Sequence, residues 1–494
     1  MGKIKFFSCT IYMSRFMHRL LYPLLLSFLS IHADMSAATL TYDGIIYSKG
    51  VDYAIVSGTV YKTITVATIR EMAFGTDVIH IGMNAFDQCA SLKEISLPSK
   101  LKTIGIKAFS GCSRLRSIAL PNKIERIAVS AFAGCSSLST ISFPLSLRQI
   151  EDYAFSTCRA LQSITIPDSV NTIGEHAFYQ CTGLTSLLLK ANVTSFGNNA
   201  FEGCINLASV ETSENLSVIG NYAFIECENL TSVKMSQKGL LTIGDYAFSG
   251  CAKIDSLDMP TTLTHIGEYA FSECSGLRHL KFGYSLGIMG AHAFEKCTSL
   301  TSVVMPPYMY DLGKYAFAGC TSLDTVIFPK SSVNVSISAH AFEGCTNLRS
   351  VTLHDNNFRI YEYAFKGCVS LPKFTIPSTV ERIEASAFEG CTSLDSVTCL
   401  VEEPYAFGKD AFKNISPKCV LTVPYGKRAA YIAKGWTTDV FKGGIVELPA
   451  PEGIQTVRVN KADKGTYYDL EGREVLQPEK GRIYIRAGRK VLVK

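Results

Sequence analysis

Apolar and polar residues alternate in short stretches that return along most of the chain about every 23 residues. In one such stretch, apolar residues stand at Leu92, Ile95 and Leu97, with polar residues between them. This alternation predicts a short strand with one buried face. Pro98 follows, and we expect it to end the strand because proline has no amide hydrogen to donate to a neighbouring strand.

The second half of each period is expected to turn the chain back. Leu101 and Ile104 supply further inward-facing apolar positions, and Gly105 allows a tight bend. The pair Ala108–Phe109 predicts a return of one helical or 3₁₀ turn, with the phenylalanine wedged between coils. A cysteine follows such a pair in fourteen periods, at intervals of 23 residues except for one of 24 and one of 25: Cys89, Cys112, Cys135, Cys158, Cys181, Cys204, Cys227, Cys251, Cys274, Cys297, Cys320, Cys345, Cys368 and Cys391.

A unit of 23 residues cannot bury its apolar side alone, so the period predicts a stack of coils. Successive coils would place their strands side by side in a parallel sheet. At about 4.8 Å per strand, roughly fourteen coils make a rod on the order of 70 Å long. The predicted fold class is therefore a repeat solenoid, followed by a small C-terminal β-module.

The phrase Ala-Phe-x-x-Cys-x-x-Leu-x-x-Ile-x-Leu-Pro, which is clearest from Ala108 to Pro121, resembles the leucine-rich repeats of the BspA-like (Treponema pallidum-type) bacterial surface proteins. The resemblance covers residues 81–415. It implies a right-handed horseshoe or rod with a parallel concave sheet and short helical or 3₁₀ returns. It also implies adhesion to host matrix or plasma proteins, or to other bacteria.

Two segments beside the array are expected to cap it, because an end coil otherwise exposes its core and its strand edge. Residues 39–80 form the predicted N-terminal cap, with strand-like stretches on either side of a turn at Ser48–Gly50. Residues 416–448 form the predicted C-terminal cap. This cap is expected to contain a last strand, a short helix over 427–434 and Trp436, which would cover the final coil.

The two ends of the chain predict export. Residues 1–38 place basic residues before the apolar run Leu20–Ile31, which is too short to span a membrane, so they predict a signal peptide cleaved after Ala33 or Ala38. Residues 449–494 predict a proline-rich linker and a small β-module, which is similar to the C-terminal sorting domains of Bacteroidota proteins that use type IX secretion. We therefore expect the protein at the cell surface or outside the cell, with membrane contact only through export or attachment.

The charge of the chain is concentrated at its ends. The formal net charge is +5, of which residues 1–33 carry +4 and residues 449–494 another +4, which leaves −3 for the remainder. A faintly acidic array with no basic stripe among its aromatic residues is a poor nucleic-acid binder. We expect no nucleic-acid partner and a monomeric protein.

Seventeen cysteines in an exported chain would ordinarily suggest disulfides. One cysteine per coil, flanked by core positions, instead favours a buried ladder of thiols that give weak hydrogen bonds to loop backbone. Disulfides between neighbouring coils remain the alternative. No metal site is expected, because metal sites need clustered cysteines and the two closest here are Cys391 and Cys399.

No motif of a hydrolase, phosphate-binding loop, zinc protease or dinucleotide-binding enzyme occurs in the sequence. Three histidines, His176, His292 and His340, precede Ala-Phe at a position that elsewhere holds tyrosine, which indicates a tolerant surface position. We therefore expect neither catalysis nor a cofactor.

The concave sheet is the place where the sequence predicts binding. The residue before the central apolar position is Ser or Thr in eleven of fourteen coils, whereas the residue after it varies. Opposite charges and exposed aliphatic residues follow one another there, which is typical of a protein-binding surface. The alternative is that these charges only pair across strands and stabilise the stack. The candidate residues are Leu188, Glu211, Lys234, Asp258, His279, Lys281, Val304 and Ile327.

The sequence thus favours a secreted or cell-surface leucine-rich repeat protein that binds another macromolecule through its concave face. The expected partner is a host matrix or plasma protein, or a protein on another bacterium. The alternative is a glycan-binding or surface-layer protein without a discrete protein partner. Exposed aromatic residues on the concave face would favour glycan binding, and that strand position has none.

Overall fold

The computed structural model describes residues 38–189, 192–331, 333–355 and 357–449, and five short segments between residues 455 and 493. The predicted signal peptide lies outside the described residues, except for its last residue, and so does most of the predicted linker. The chain forms two compact units, one up to Leu323 and one from Asp324 onward.

Each coil of the first unit begins with a front strand, formed by the L-x-x-I-x-L stretch, and the predicted strand is thus confirmed. The central apolar side chain is buried and its neighbours are exposed, as in Ser117–Ala119, where Ile118 is 5% exposed. Adjacent front strands pair in parallel where they are hydrogen-bonded. They are Val66–Thr68, Glu94–Ser96, Ser117–Ala119, Thr140–Ser142, Ser163–Ile166, Ser186–Leu189, Ser209–Glu211, Ser232–Lys234, Ser256–Asp258, His279–Lys281 and Ser302–Val304.

A second strand, here called the back strand, follows in each coil, and the period-2 pattern does not predict it. Most back strands have two residues, yet they form one continuous parallel ladder through the unit. The inward residue of each pairs with its equivalent in the next coil, as Ile104 does with Ile127. The back strands are Thr76–Ile81, Thr103–Ile104, Arg126–Ile127, Gln149–Ile150, Thr172–Ile173, Ser195–Phe196, Val218–Ile219, Thr242–Ile243, His265–Ile266, Ile288–Met289 and Asp311–Leu312.

Gly105, which was expected to allow a tight bend, has a different role. Its backbone is not in the left-handed region, so no turn there requires glycine. A Cβ atom at this position would lie 2.8 Å from the carbonyl carbon of Gly82 in the preceding coil. The glycine is therefore needed because two backbones approach closely after the back strand.

The return after the back strand is made of single turns, and its amides alternate between two kinds of partner. The amide of Phe109 donates to the carbonyl of Ala131 in the next coil at 2.8 Å, and those of Lys107 and Gly111 also donate to the next coil. The amides that alternate with these donate three residues back within the coil, as that of Cys112 does to the carbonyl of Phe109 at 3.1 Å. The expected helical or 3₁₀ return is thus reduced to isolated turns with 3₁₀-type bonds.

The phenylalanines of the returns form a column in the core of the first unit. Their rings are nearly parallel, with centroids 5.1–5.4 Å apart from one coil to the next. This agrees with the expectation that each phenylalanine wedges between coils. The column consists of Phe86, Phe109, Phe132, Phe155, Phe178, Phe201, Phe224, Phe248, Phe271, Phe294 and Phe317.

The sixteen cysteines within the described residues are buried, as expected for a thiol ladder. The thiol of Cys112 donates to the carbonyl oxygen of Phe86, 26 residues earlier, at 3.2 Å. The same bond recurs in later coils at 3.1–3.4 Å. The prediction of buried thiols that donate to loop backbone is confirmed.

The N-terminal segment forms strands Thr39–Tyr42, Ile45–Lys49 and Ala54–Thr59, and a short strand, Met72–Ala73. The first two form a hairpin that the sequence pattern did not predict. Its two turn residues, Asp43 and Gly44, have φ angles of 51° and 76°, which suit a tight hairpin turn. The expected turn at Ser48–Gly50 lies slightly later, where the amide of Gly50 donates to the carbonyl of Tyr53 at 2.8 Å.

The second unit continues the same type of coil and then closes the array with its C-terminal elements. Its front strands are Thr325–Ile327, Ser350–Thr352, Lys373–Ile376, Ser396–Cys399, Val420–Val423 and Gly444–Glu447. Its back strands are Val335–Ile337, Asn357–Ile360 and Arg382–Ile383.

The predicted C-terminal covering elements are present. The helix Arg428–Ala433 lies within the stretch expected to be helical, and Trp436 is fully buried. The indole ring lies 5.7 Å from Phe412 of the last return and stacks on Phe441 at 5.9 Å. Its Nε1 donates to the carbonyl of Tyr405 at 2.7 Å.

The C-terminal tail forms a sheet of five strands, where the sequence indicated two strand-like stretches. In sheet order the strands are Gln455–Val457, Arg489–Val493, Ile483–Arg486, Tyr467–Tyr468 and Glu474–Val475. Tyr467, Tyr484 and Val491 form a small core of its own.

Candidate binding site on the front face

The front face is the surface formed by the outward side chains of the front strands, and it corresponds to the predicted concave face. Seven of the eight predicted binding residues are exposed on this face of the first unit: Leu188, Glu211, Lys234, Asp258, His279, Lys281 and Val304. The eighth, Ile327, is half-buried and belongs to the second unit. Within the first unit, the geometry thus places seven candidate residues on one face.

Four of these residues form two ion pairs across neighbouring strands. Lys234 Nζ lies 4.0 Å from Glu211 Oε2, and Lys281 Nζ lies 3.6 Å from Asp258 Oδ1. The partners are directly opposite in the strand register. The cross-strand pairing left open by the sequence is thus present. All four side chains are at least 62% exposed, so each pair adds less than about 1 kcal/mol to stability.

An open depression of about 630 Å³ lies on the front face between these charges. Three successive front strands contribute Glu211, Lys234 and Asp258 to its lining, and two turns contribute Glu214 and Gln237. The volume is within the range of ligand pockets. The lining is mainly charged and hydroxylated, which favours a polar contact.

The turn beside the depression contains the extra residue of the 24-residue interval between Cys227 and Cys251. Gly239 in this turn has a φ of +85°, and a Cβ atom there would lie 2.2 Å from the carbonyl oxygen of Glu214. Only glycine fits both conditions. The longer turn places Lys238 Nζ 3.4 Å from Glu214 Oε2, which adds a third exposed ion pair.

The charges at the depression are balanced in pairs. The carboxylates of Glu211, Glu214 and Asp258 each face a lysine of the following coil. Among the described residues, no group of His, Cys, Asp and Glu side chains is arranged to hold a metal ion. The thiols are poor nucleophiles, because burial raises the pKa of Cys181, for example, to about 12.

A second feature, on the returns, was missed by sequence reasoning. In the returns, the residue before the Ala-Phe pair has a positive φ. Where successive coils carry aromatic residues at this position, their rings stack. Tyr246 lies between Tyr222, at 4.9 Å, and Tyr269, at 4.6 Å. The column continues through His292 to Tyr315. The signal in the sequence is the recurrence of tyrosine and histidine at this position, which by itself indicates only a tolerant surface position.

The coil geometry, with its 23-residue period, agrees with comparisons of the sequence. The family model described as the BspA type leucine rich repeat region, in six copies, matches residues 65–185, 148–278, 241–355 and 311–426. These matches span more than half of the chain. The protein belongs to the BspA-type leucine-rich repeat family.

The chain is similar to solved structures of other leucine-rich repeat proteins. A leucine-rich repeat protein from Bacteroides ovatus is 28% identical, with a TM-score of 0.63 over 83% of this chain and 100% of that one. A leucine-rich cell surface protein from Faecalibacterium prausnitzii is 20% identical, with a TM-score of 0.37 over 81% and 98%. The T. pallidum leucine-rich repeat protein is 22% identical, with a TM-score of 0.31 over 48% and 90%. No curated protein sequence matches the chain significantly.

Membership of the BspA-type family indicates the general location and role of such proteins. Proteins of this family are found at the surface or are secreted, and leucine-rich repeat solenoids generally serve as non-catalytic scaffolds for protein interaction. None of the helices in the described part of the chain is both long and apolar enough to cross a bilayer.

Proposed function

We propose that this BspA-type protein is exported to the cell surface, where it adheres to a host matrix or plasma protein, or to a protein of another bacterium. The contact is made by the front face of the first unit. One observation supports this most directly: members of three exposed ion pairs line a depression of about 630 Å³ near the middle of the row of predicted binding residues.

These ion pairs are suited to a partner because they contribute little to the fold. Their side chains are 62–78% exposed, so water screens the attraction within each pair. A bound protein that excludes this water would strengthen charge contacts with the same groups. Charges arranged in this way chiefly set association rate and specificity.

The test replaces Lys234 and Lys281 by serine in the full chain. Binding is measured by surface plasmon resonance against purified extracellular-matrix and plasma proteins, and by adhesion to intact bacterial cells. We expect a partner's association rate to fall about tenfold or more and to lose much of its salt dependence. The melting temperature should be nearly unchanged.

A matched control removes two lysines of similar exposure that lie off the front face. Lys100 and Lys296 pair with carboxylates of the preceding coil at 2.9 and 2.8 Å, and are 54% and 56% exposed. Their replacement by serine should leave binding unchanged. If both double variants bind as the parent does, the front-face strip is only part of the scaffold.

A further inference from the structure

Three tyrosines with much of their surface in solvent lie on the turns that join front and back strands in two successive coils. Tyr284, Tyr308 and Tyr310 are 56%, 53% and 56% exposed. These tyrosines lie on turns, whereas the charged residues Glu211, Lys234, Asp258 and Lys281 lie on the front strands.

The ring of Tyr310 packs against Gly287 of the preceding coil. Its amide donates to the carbonyl of Gly287 at 3.0 Å, and a Cβ atom on Gly287 would lie 2.7 Å from Tyr310 Cε1. The backbone of Gly287 is not left-handed, so the turn itself does not require glycine. The equivalent residues in earlier coils, such as Leu241 and Thr264, carry side chains. The missing side chain at Gly287 therefore provides the room for the ring.

Tyr308 replaces a residue that elsewhere ties its turn to the preceding coil. At the equivalent position, the hydroxyl of Ser146 donates to the carbonyl of Ile124 at 2.6 Å, and that of Thr262 donates to Leu240 at 2.8 Å. A tyrosine hydroxyl, at the far end of its ring, cannot make the same short local bond. The substitution therefore turns the ring out from the turn into solvent, in agreement with its exposure.

Tyr284 occupies the turn of the preceding coil, between Gly283 and Ser285. Both neighbours are small, and the ring of Tyr284 is largely exposed. Asp311, next to Tyr310 in sequence, is exposed, and none of the ion pairs formed by the described residues involves it. The surface thus combines flat apolar rings with hydroxyl groups and a carboxylate that can accept hydrogen bonds.

This combination fits a sugar better than a protein. A pyranose ring presents a flat face of C–H groups and a rim of hydroxyls, which match an exposed aromatic face and its polar surroundings. The strongest contacts in protein interfaces instead fill closely packed, desolvated pockets. The stacked tyrosines of the returns cannot serve in the same way, because Tyr246 has a ring on each side within 5 Å.

We propose that Tyr284, Tyr308 and Tyr310 form a platform that binds a neutral polysaccharide. The chain of sugars would extend across the turns of two adjacent coils, and Asp311 would accept hydrogen bonds from its hydroxyls. The same carboxylate disfavours anionic polysaccharides through charge repulsion. This site is separate from the front-face residues proposed to bind a protein, and it does not depend on them.

The test is affinity electrophoresis of the full chain in native gels that contain laminarin, mannan, xylan or, as an anionic comparison, hyaluronate. We expect at least one neutral polysaccharide to retard the parent protein, and hyaluronate to leave it unaffected. Replacement of all three tyrosines by alanine should weaken retardation about tenfold or more. Gly287→Thr, which keeps every tyrosine but crowds the ring of Tyr310, should weaken it as well.

Two control variants show whether retardation comes from the tyrosine platform. Tyr425→Ala removes a tyrosine of similar exposure, 58%, in the second unit, and the variant should be retarded like the parent. The Lys234→Ser, Lys281→Ser double variant should also be retarded normally, even if it no longer binds a protein. Failure of every neutral polysaccharide to retard the parent, or equal retardation of the triple variant, would overturn the proposal. Loss of protein binding alone in the triple variant would also overturn it.

Discussion

The thiol of Cys181 lies 3.1 Å from the carbonyl oxygen of Phe155, 26 residues earlier in the chain. This bond joins the return of one coil to the return of the coil before it. Burial raises the pKa of this thiol to about 12, so the group stays protonated and remains a donor at neutral pH. The cysteine thus fills a small apolar space and also satisfies a buried carbonyl.

We expect the thiols to be inaccessible in the native protein. Native protein should react slowly with a thiol reagent, and protein denatured without a reductant should titrate nearly all of the sixteen buried thiols. The measurement is thiol titration before and after guanidinium addition. A low count in the denatured, non-reduced sample would instead indicate disulfides between coils.

Serine should be a poor substitute within the array. Cys181→Ser is expected to lower the free energy of unfolding by roughly 1–3 kcal/mol, because a buried hydroxyl loses more solvation than a thiol. Cys89→Ser, in the coil nearest the N-terminal cap, should cost less, since a terminal coil shares fewer interfaces. Urea denaturation in the presence of reductant measures both, and equal losses would argue against the ladder as the source of the effect.

The raised thiol pKa predicts a loss of stability in alkali. In the unfolded chain a thiol ionises near its ordinary pKa of 9.0, whereas in the fold the pKa of Cys181 is about 12. The contribution is fully present below pH 9 and declines between pH 9 and 12 as the unfolded state loses protons. Each such thiol should cost about 1 kcal/mol per pH unit in this window.

This decline is measured as the urea midpoint at a series of pH values from 7 to 11. Cys181→Ala removes one titrating thiol. After the pH-independent loss of stability caused by the substitution is subtracted, the variant should lose stability less steeply with pH than the parent, by the contribution of one thiol. A midpoint that stays constant up to pH 11 would contradict the prediction.

The aromatic column on the returns predicts an order of tolerance at Tyr246, which has a φ of 55°. Tyr246→Asn loses two stacking contacts but accepts this backbone, so it should cost about 1–2 kcal/mol. Tyr246→Val loses the same contacts and adds strain, since a β-branched residue is disfavoured there, so it should cost more. Thermal melting compares them with Tyr425→Ala, which should have little effect. Equal melting temperatures for Asn and Val would argue against backbone strain.

Deletion of residues 454–494 tests the predicted sorting role of the tail. The tail has a core of its own, formed by Tyr467, Tyr484 and Val491. The remaining chain should therefore keep its melting temperature. Its export or its retention at the surface, as measured by cell fractionation, should fail. Deletion of 416–494, which also removes Trp436, should lower the melting temperature. Normal surface display of the shorter deletion would exclude the sorting role.

The sequence predicted the front strands well because alternation around a central apolar residue, as from Glu94 to Leu97, recurs from coil to coil. It did not predict the back strands, since a pair such as Thr103–Ile104 is too short to show alternation. The front-face charges could be located, but the depression between them depends on the longer turn around Gly239. The tyrosine platform was missed because the room for the ring of Tyr310 depends on Gly287, 23 residues earlier in the chain.

The alternating amides of the return give the stack a direction. In each internal coil, three amides such as that of Phe109 donate toward the C-terminal neighbour, and three carbonyls such as that of Ala131 accept from the N-terminal one. Along the row of returns, one end is therefore rich in free donors and the other in free acceptors, and a buried unpaired donor is the rarer of the two. Loss or duplication of a whole coil by recombination leaves donors and acceptors matched, so the length of such an array can drift in evolution while the chemistry of its two ends stays the same.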